Sequence, residues 1–204
     1  MSFDELQNIQ NQTEYKEGLK DRYVGQIDPV TKLRQGQGTY TYPNSLYQYQ
    51  GFYKDGRKHT EPGQAATFVM RDGTKFTGNF QNGEITGQGL KRGSDGRVYQ
   101  GDFVEGEMHG NGLLMYNVES KTETDRAYEG QFHFNSREGN GVLTKINGDV
   151  YTGTFQNNMA TGPHHVEFGN GDVYDGEIFR EVIKGEGVLS TADSKTFKGT
   201  FDDG

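Results

Sequence analysis

Residues 98–112 read VYQGDFVEGEMHGNG, and the spacing of rings and glycines in this stretch decides the fold. Tyr99, Gly101 and Phe103 alternate with polar residues, so in a β-strand they would share one face. A glycine between two aromatic residues removes the side chain that would block rings from the next strand, and it permits a bulge. The stretch therefore predicts a strand with rings packed on one face and polar groups on the other.

The same aromatic-x-Gly-x-aromatic/aliphatic pattern occurs eight times along the chain. Its copies begin at Tyr23, Tyr49, Phe76, Tyr99, Tyr128, Tyr151, Tyr174 and Phe197. Successive copies start 26, 27, 23, 29, 23, 23 and 23 residues apart. A fixed period indicates an array of stacked supersecondary units. We therefore predict an array of about eight repeats over residues 21–204, the last one incomplete.

Each repeat reads as a β-hairpin because two further glycine signals recur in it. A Gly-x-Gly pair follows the aromatic pattern in most copies, at Gly87-x-Gly89, Gly110-x-Gly112, Gly139-x-Gly141 and Gly185-x-Gly187. Asn-Gly or Asp-Gly then separates this strand from the next aromatic strand, and such dipeptides predict type I′ turns. These turns are predicted at Asp72-Gly73, Asp95-Gly96, Asn147-Gly148 and Asn170-Gly171.

The predicted fold class is all-β: an elongated, twisted, single-layer antiparallel sheet of tandem hairpins. The central glycines of the aromatic pattern are predicted to be structural, since they make room for the rings. These glycines are Gly78, Gly101, Gly130, Gly153, Gly176 and Gly199.

Several segments depart from the repeat. Residues 1–20 are predicted to form either a short cap helix, with Phe3, Leu6 and Ile9 at helical spacing, or a disordered segment. Repeat two carries Gln64 and Ala66 in place of the glycine pair, after an insertion that is expected to bulge the sheet locally. Residues 117–126, NVESKTETDR, replace a tight turn with a charged loop, which is either a surface insertion or a recognition loop.

Composition excludes several classes of protein. The net charge is −8 and no stretch is dominated by Lys or Arg, which argues against nucleic acid as a partner. The chain has no cysteine, so disulfides and thiolate metal sites are excluded. No apolar run approaches the roughly 20 residues of a membrane-spanning helix, and the N-terminus does not resemble a signal peptide. We expect a cytoplasmic protein.

The sequence contains no recognisable catalytic or ligand-binding motif. Gly-x-Gly occurs neither as G-x-G-x-x-G nor as a phosphate-binding loop with Gly-Lys-Ser/Thr. In repeat six His164 stands where the second glycine belongs; His164, His165 and Glu167 lie together but lack an identifiable third metal ligand. We therefore predict no catalytic, cofactor-binding or metal site, and no enzyme.

The combination of Y-x-G-x-F, the later Gly-x-Gly and the Asp/Asn-Gly turn resembles the MORN (membrane occupation and recognition nexus) repeat over Tyr23 to Gly204. The resemblance implies a twisted sheet of stacked hairpins, usually without catalysis. It also implies a scaffold associated with the cytoskeleton, the cilium or a membrane contact.

Three functions remain open. The first is a scaffold whose aromatic groove or open sheet edge binds a partner helix or strand, or a second copy of the chain. The rings proposed for this groove are Tyr99, Phe103, Tyr128, Phe132, Tyr151, Phe155 and Tyr174. The second is a phospholipid-binding, membrane-tethering module, which the net charge disfavours. The third is a regulatory part of a larger enzyme.

Overall fold

The computed structural model describes residues 21–42 and 47–202. These residues form one open antiparallel sheet of sixteen strands, and no helix occurs among them. The predicted all-β, single-layer fold of successive hairpins is therefore confirmed. The cap helix or disorder predicted for residues 1–20, and the loop residues 43–46 of repeat one, lie outside the described residues.

The strands follow one another across the sheet in chain order, so each pairs with its neighbours in sequence. The one departure is β4, a short strand that pairs only with β3. The strands are β1 (Arg22–Ile27), β2 (Arg34–Thr41), β3 (Gln48–Lys54), β4 (Arg57–Lys58), β5 (Ala66–Val69), β6 (Lys75–Gln81), β7 (Glu84–Arg92), β8 (Val98–Val104), β9 (Glu107–Met115), β10 (Asp125–His133), β11 (Ser136–Lys145), β12 (Val150–Gln156), β13 (Met159–Glu167), β14 (Val173–Phe179), β15 (Val182–Ser190) and β16 (Thr196–Phe201).

The chain divides into two compact units. The N-terminal unit contains the residues up to Ser94 together with Phe103–Gly106. The C-terminal unit contains Asp95–Asp102 and the residues from Glu107 onward. Each unit has its own set of buried rings.

Type I′ turns occur in this protein, but not where the sequence predicted them. They connect six of the aromatic strands to the strand that follows, and both central residues of each turn have φ between 44° and 101°. These turns are Asp55-Gly56, Asn82-Gly83, Glu105-Gly106, Phe134-Asn135, Asn157-Asn158 and Arg180-Glu181. Placing type I′ turns at Asp72-Gly73, Asp95-Gly96, Asn147-Gly148 and Asn170-Gly171 was wrong, because only the glycine has positive φ there.

The Asp/Asn-Gly dipeptides instead lie in three-residue loops. Between β5 and β6 the Gly73 amide donates to the Met70 carbonyl at 3.0 Å, and the Met70 amide donates to the Thr74 carbonyl at 2.8 Å. This is the pattern of a type I turn that ends in a left-handed residue. Asp72 is favoured there because its carboxylate accepts the Thr74 amide at 2.9 Å, an Asx turn that Asn147 repeats with Asp149.

A bulge explains the first glycine of each Gly-x-Gly pair. In the β10–β11 hairpin the pairing passes from Gly130–Gly141 to Phe132–Arg137, so β11 carries extra residues opposite Gln131. Gly139 lies in this bulge with φ 70°, a conformation that costs a residue with a Cβ about 1–2 kcal/mol. Equivalent register shifts occur in the β1–β2, β6–β7, β12–β13 and β14–β15 hairpins.

The insertion in repeat two divides one strand into β4 and β5. Between them Thr60 joins β6, because its amide donates to the Phe80 carbonyl at 2.8 Å and its hydroxyl accepts the Phe80 amide at 3.0 Å. Ala66 then takes the place of the second glycine and pairs with Gly78. The predicted local distortion is thus accommodated inside the sheet.

Candidate functional site

The rings of the repeat form a layer on one face of the sheet, which we call the ring layer. In the C-terminal unit Tyr128 packs edge-on against Phe132 at 5.1 Å and against Phe155 at 4.9 Å between ring centroids. In the N-terminal unit Tyr49 packs in the same way against Tyr53 at 5.2 Å and Phe80 at 5.0 Å. Edge-to-face pairs of this kind add about 0.5–1.5 kcal/mol beyond the burial itself.

The seven rings predicted to line a partner groove all belong to this layer. Their exposure is between 0% and 6% of the maximum, for Tyr99, Phe103, Tyr128, Phe132, Tyr151, Phe155 and Tyr174. A side chain this buried presents almost no area to a partner, and its first role is to hold neighbouring hairpins together. Direct contact between these rings and a partner stays a prediction.

A recurrent hydrogen bond, which the sequence analysis missed, fixes the first tyrosine of the repeat. The Tyr128 hydroxyl donates to the Gln131 carbonyl at 3.1 Å, and Tyr174 donates to the Glu177 carbonyl at 2.8 Å. The accepting carbonyl belongs to the residue opposite the bulge, where the ladder is interrupted. Burial is the main reason that the pKa of Tyr128 rises to about 12, so this hydroxyl remains a donor at neutral pH.

Pairs of glycines lie directly beneath these rings. A Cβ on Gly141 would lie 2.4 Å from the Tyr128 hydroxyl oxygen, and one on Gly130 would lie 2.6 Å from the Gly141 Cα. At five of the six predicted structural positions, the nearest atom to an added Cβ would be 2.5–2.6 Å away. Those positions are Gly78, Gly101, Gly130, Gly153 and Gly176. At Gly199 an added Cβ would meet nothing within 4 Å.

Repeat six is built differently because His164 replaces the second glycine. The His164 ring lies over Gly153, where an added Cβ would be 2.6 Å from the imidazole. The Tyr151 hydroxyl then donates to the Glu181 carbonyl at 3.4 Å instead of to its own repeat. Phe155 packs edge-on against His164 at 5.7 Å, so the imidazole fills the place that a tyrosine ring takes elsewhere.

Charged side chains also lie among the rings, although the sequence pattern does not predict them there. Asp125 and Arg137 are both buried, and their carboxylate and guanidinium groups lie 3.0 Å apart. Lys145 lies 3.5 Å from Asp125 and also pairs with Glu181. Because neither Asp125 nor Arg137 belongs to the aromatic or glycine pattern, this network is visible only in the three-dimensional structure.

In each unit, the face opposite the ring layer, which we call the open face, has a hollow. The hollow in the N-terminal unit has a volume of about 410 Å³. Its floor is a row of paired residues from four strands, Val24, Thr39, Gln50 and Thr67, which alternate with the buried rings. Phe52 and Gln37 stand beside this row, so apolar and amide groups are mixed.

The hollow in the C-terminal unit has a volume of about 580 Å³ and a different chemistry. His109 and His133 line it, with ring centroids 5.1 Å apart. Phe134 packs edge-on against His109 at 5.0 Å. The buried Nδ1 of His109 has no hydrogen-bond partner among the described residues.

The neighbouring histidines in β13 occupy opposite faces and opposite environments. Burial lowers the pKa of His164, whereas the hydrogen bond that Nδ1–H of the exposed His165 donates to the Asp175 carboxylate, at 2.6 Å, raises the pKa of His165. Glu167 lies 3.5 Å from His165 on its other side. Over residues 21–42 and 47–202 no group of three or more His, Cys, Asp or Glu side chains is placed to hold a metal ion.

Four regions of the chain match a known repeat family. The sequence profile of the MORN repeat matches residues 32–47, 76–96, 99–118 and 128–150. The MORN repeat is a non-enzymatic repeat family. Within the described part of the chain, no helix is long and apolar enough to cross a membrane.

Two solved structures show weak likeness to the chain. One is the TCP domain of SAS-4 (dCPAP) of Drosophila melanogaster, in complex with a proline-rich motif of Ana2 (dSTIL); identity is 10%, the TM-score is 0.44, and the match covers 71% of this chain and 77% of that one. The other is a mutant of the TCP10 domain of Danio rerio CPAP; identity is 14%, the TM-score is 0.26, and the match covers 89% and 95%. Neither likeness bears on the function of this chain.

Proposed function

Because this chain belongs to the MORN-repeat family, we propose that it is a non-catalytic scaffold that binds a protein partner on the open face of its sheet. The observation that carries the proposal is the 410 Å³ hollow of the N-terminal unit, which presents apolar and amide side chains together. Val24 is 48% exposed there although it lies in the middle of a strand. Binding surfaces combine apolar contacts with a few placed polar groups in this way.

A helix suits this hollow better than an added strand. The floor crosses β1, β2, β3 and β5, and both edges of β2 and β3 are already paired. A partner strand could therefore not join the ladder in the middle of the hollow. An amphipathic helix needs no free ladder groups, because its own backbone is satisfied and its anchors enter from above. We take the partner to be such a helix.

The seven buried rings have an indirect part in this proposal. They fix the spacing of the strands, and the strands in turn fix the row of open-face side chains. Substitution of a ring such as Phe155 is therefore expected to act first on folding and only through folding on partner binding. A location at the cytoskeleton or cilium is supported by the family resemblance alone and forms part of the proposal.

The test compares two valines that differ in position but not in type. Val24→Arg places a charge in the hollow, whereas Val30→Arg places the same charge in the β1–β2 loop at a residue that is 85% exposed. Both substitutions should change stability by no more than about 0.5 kcal/mol. Tagged chains are used to capture partners, which are quantified by mass spectrometry and then titrated as purified proteins.

The proposal expects at least one partner whose affinity falls at least about tenfold with Val24→Arg and is unchanged with Val30→Arg. A partner that binds both variants as well as the wild type would place the interface elsewhere. Loss of binding with both variants would mean that general charge, and not the hollow, controls the interaction.

A further inference from the structure

The hollow on the open face of the N-terminal unit has two borders that differ in charge. Its floor continues across β6 and β7, because Thr67 pairs with Thr77 and Thr77 pairs with Leu90. Side chains two residues farther along each strand lie on the same face, about 6–7 Å from the floor. On one side they form a row, which we call the cationic border, of Arg22, Thr41, Gln48, Val69, Lys75 and Arg92. This row contains three cations and no acidic residue.

The border on the other side of the floor is uncharged. Gln37 pairs with Phe52 there, and both residues line the hollow. In β6 the corresponding residue is Asn79, whose side-chain amide donates to a backbone carbonyl at 3.0 Å. Lys54 lies one row farther out and is paired with Glu61 at 3.2 Å. A partner in the hollow would therefore meet positive charge along one border only.

The cationic border contains a pair of like charges that the repeat does not require. Lys75 and Arg92 are directly opposite each other in β6 and β7, and both side chains are exposed. Like charges in this arrangement destabilise a sheet. The equivalent pair in the β14–β15 hairpin is Val173 with Ser190, so the same position accommodates uncharged residues. The two cations are therefore not a requirement of the fold.

These two cations also lack an acidic partner in the part of the chain that the structure describes. No carboxylate there lies within salt-bridge distance of Lys75 or Arg92. Asp72, in the loop before β6, instead accepts the Thr74 amide at 2.9 Å and the Ser94 hydroxyl at 3.2 Å. Carboxylates supplied by a partner would stabilise the pair, because they would offset the repulsion between the two cations.

The dimensions of the floor match an α-helix that lies across the strands. Adjacent strands are about 4.8 Å apart and a helix rises about 5.4 Å per turn, so each turn lies over roughly one strand. From Val24 in β1 to Leu90 in β7 the floor crosses five strand spacings, which is about 24 Å or roughly 16 residues of helix. Because Lys75 and Arg92 lie on adjacent strands, they would face helix side chains that are one turn apart.

We propose that the helix bound in this hollow is acidic along one flank, with two carboxylates one turn apart that pair with Lys75 and Arg92. The inference rests on the function proposed above and specifies the chemistry of the partner. Apolar side chains of the helix contact Val24, which is 48% exposed, and Leu90 at the other end of the floor. The flank over Gln37 and Phe52 is uncharged. A helix with basic residues on the first flank is rejected, because the cationic border repels it.

The first test uses a display library of helical peptides as the probe. Each member is an alanine-based helix of about 16 residues, with leucine along one stripe and random residues along both flanks. The library is selected on the full chain at low ionic strength, where charge pairing is strongest, and the enriched sequences are counted. We expect Asp or Glu at positions i and i+3 or i+4 on a single flank. Enrichment of acidic residues on both flanks alike, or on neither, would overturn the proposal.

The second test removes the two cations. The double variant Lys75→Gln, Arg92→Gln should bind an enriched acidic peptide at least about fivefold more weakly, measured by calorimetry. Its thermal midpoint should be unchanged or higher, because the repulsion between the two strands is relieved, so the loss is not one of folding. The control Lys32→Gln, Lys195→Gln makes the same charge change in two exposed loops and should keep the affinity. An equal loss with the control would show diffuse attraction and overturn the proposal.

A third variant separates this proposal from the one on which it rests. Val24→Gln removes the apolar anchor of the hollow without adding charge. Peptides that require Val24 but bind the Lys75→Gln, Arg92→Gln variant as well as the wild type would support a helix in the hollow and overturn its acidic flank. Absence of any peptide that requires Val24 would overturn helix binding in the hollow and the acidic flank together. Binding to phosphatidylserine vesicles that requires Lys75 and Arg92, without an enriched acidic peptide, would place the anion on a membrane and also overturn the proposal.

Discussion

The clearest prediction concerns the same glycine of the repeat in two different surroundings. A Cβ on Gly130 would lie 2.6 Å from the Gly141 Cα, 2.7 Å from the Asn140 carbonyl oxygen and 2.7 Å from the Tyr128 hydroxyl. Carbon atoms in ordinary contact are about 3.5–4.0 Å apart, so Gly130→Ala must move a paired strand and a buried ring by about 1 Å. A Cβ on Gly199 would meet nothing within 4 Å.

The expected magnitudes follow from these contacts. Overpacking costs about 1–3 kcal/mol, and displacement of Tyr128 weakens its hydrogen bond, worth about 1 kcal/mol. Alanine has fewer conformations than glycine in the unfolded chain, and this offsets about 0.4–1 kcal/mol of the destabilisation. Gly130→Ala should therefore lower the free energy of unfolding by about 2–3 kcal/mol, whereas Gly199→Ala should leave it unchanged or raise it by a few tenths.

Urea denaturation followed by tyrosine fluorescence measures both changes, since the chain contains 12 tyrosines and no tryptophan. Equal midpoints for Gly130→Ala and Gly199→Ala would refute the reasoning. The same holds if Gly130→Ala unfolds within about 0.5 kcal/mol of the wild type, because the strand would then have absorbed the Cβ at no cost.

Three further outcomes are expected. Asp125→Asn leaves Arg137 buried without its carboxylate and should cost about 3–5 kcal/mol, less when Arg137→Met is present as well; a double-mutant cycle by urea denaturation measures the coupling. NMR titration should find the pKa of His164 below 6.5 and that of His165 above it. The lowered pKa of His164 contributes stability above pH 6.5, and this contribution is lost as the pH falls through the folded-state pKa. The raised pKa of His165 contributes stability below pH 6.5, and this contribution is lost as the pH rises through the folded-state pKa. Two pKa values on the same side of 6.5 would contradict this. Glu105→Asn should raise the thermal midpoint slightly, because Asn tolerates the φ of 52° better than Glu; an unchanged or lower midpoint would count against a type I′ strain there.

Periodicity made much of the fold predictable. The aromatic-x-Gly-x-aromatic pattern identified the strands, their order and the face that is buried, because alternation in a strand is a local property. The turn types were not predictable from dipeptides alone. Asp72 and Asn147 each accept a backbone hydrogen bond with the side chain and do not have positive φ. The same Asp/Asn-Gly dipeptide is therefore compatible with a three-residue loop as well as with a type I′ turn.

The candidate sites were less accessible to sequence reasoning for a physical reason. Aromatic rings suggested a partner surface, but a ring seated on a glycine pair is hidden by its neighbours. Tyr53 fits the aromatic pattern as its Phe counterparts do, so the sequence does not single out its hydroxyl. Only the structure shows that this hydroxyl is buried without a hydrogen-bond partner among the described residues.

Pairing in strict chain order has a consequence for how such a protein can change in length. Gly141 of β11 now faces Gly153 of β12, and His164 of β13 faces Gly176 of β14. Excision of the 23 residues from Tyr151 to Val173 would bring Gly141 opposite Gly176. Gly141 would then still face the central glycine of an aromatic strand, as it does now. The number of repeats can therefore change during evolution without changes in the sequence of any single repeat. A hairpin can be lost or duplicated, and the remaining hairpins keep the same kind of neighbours.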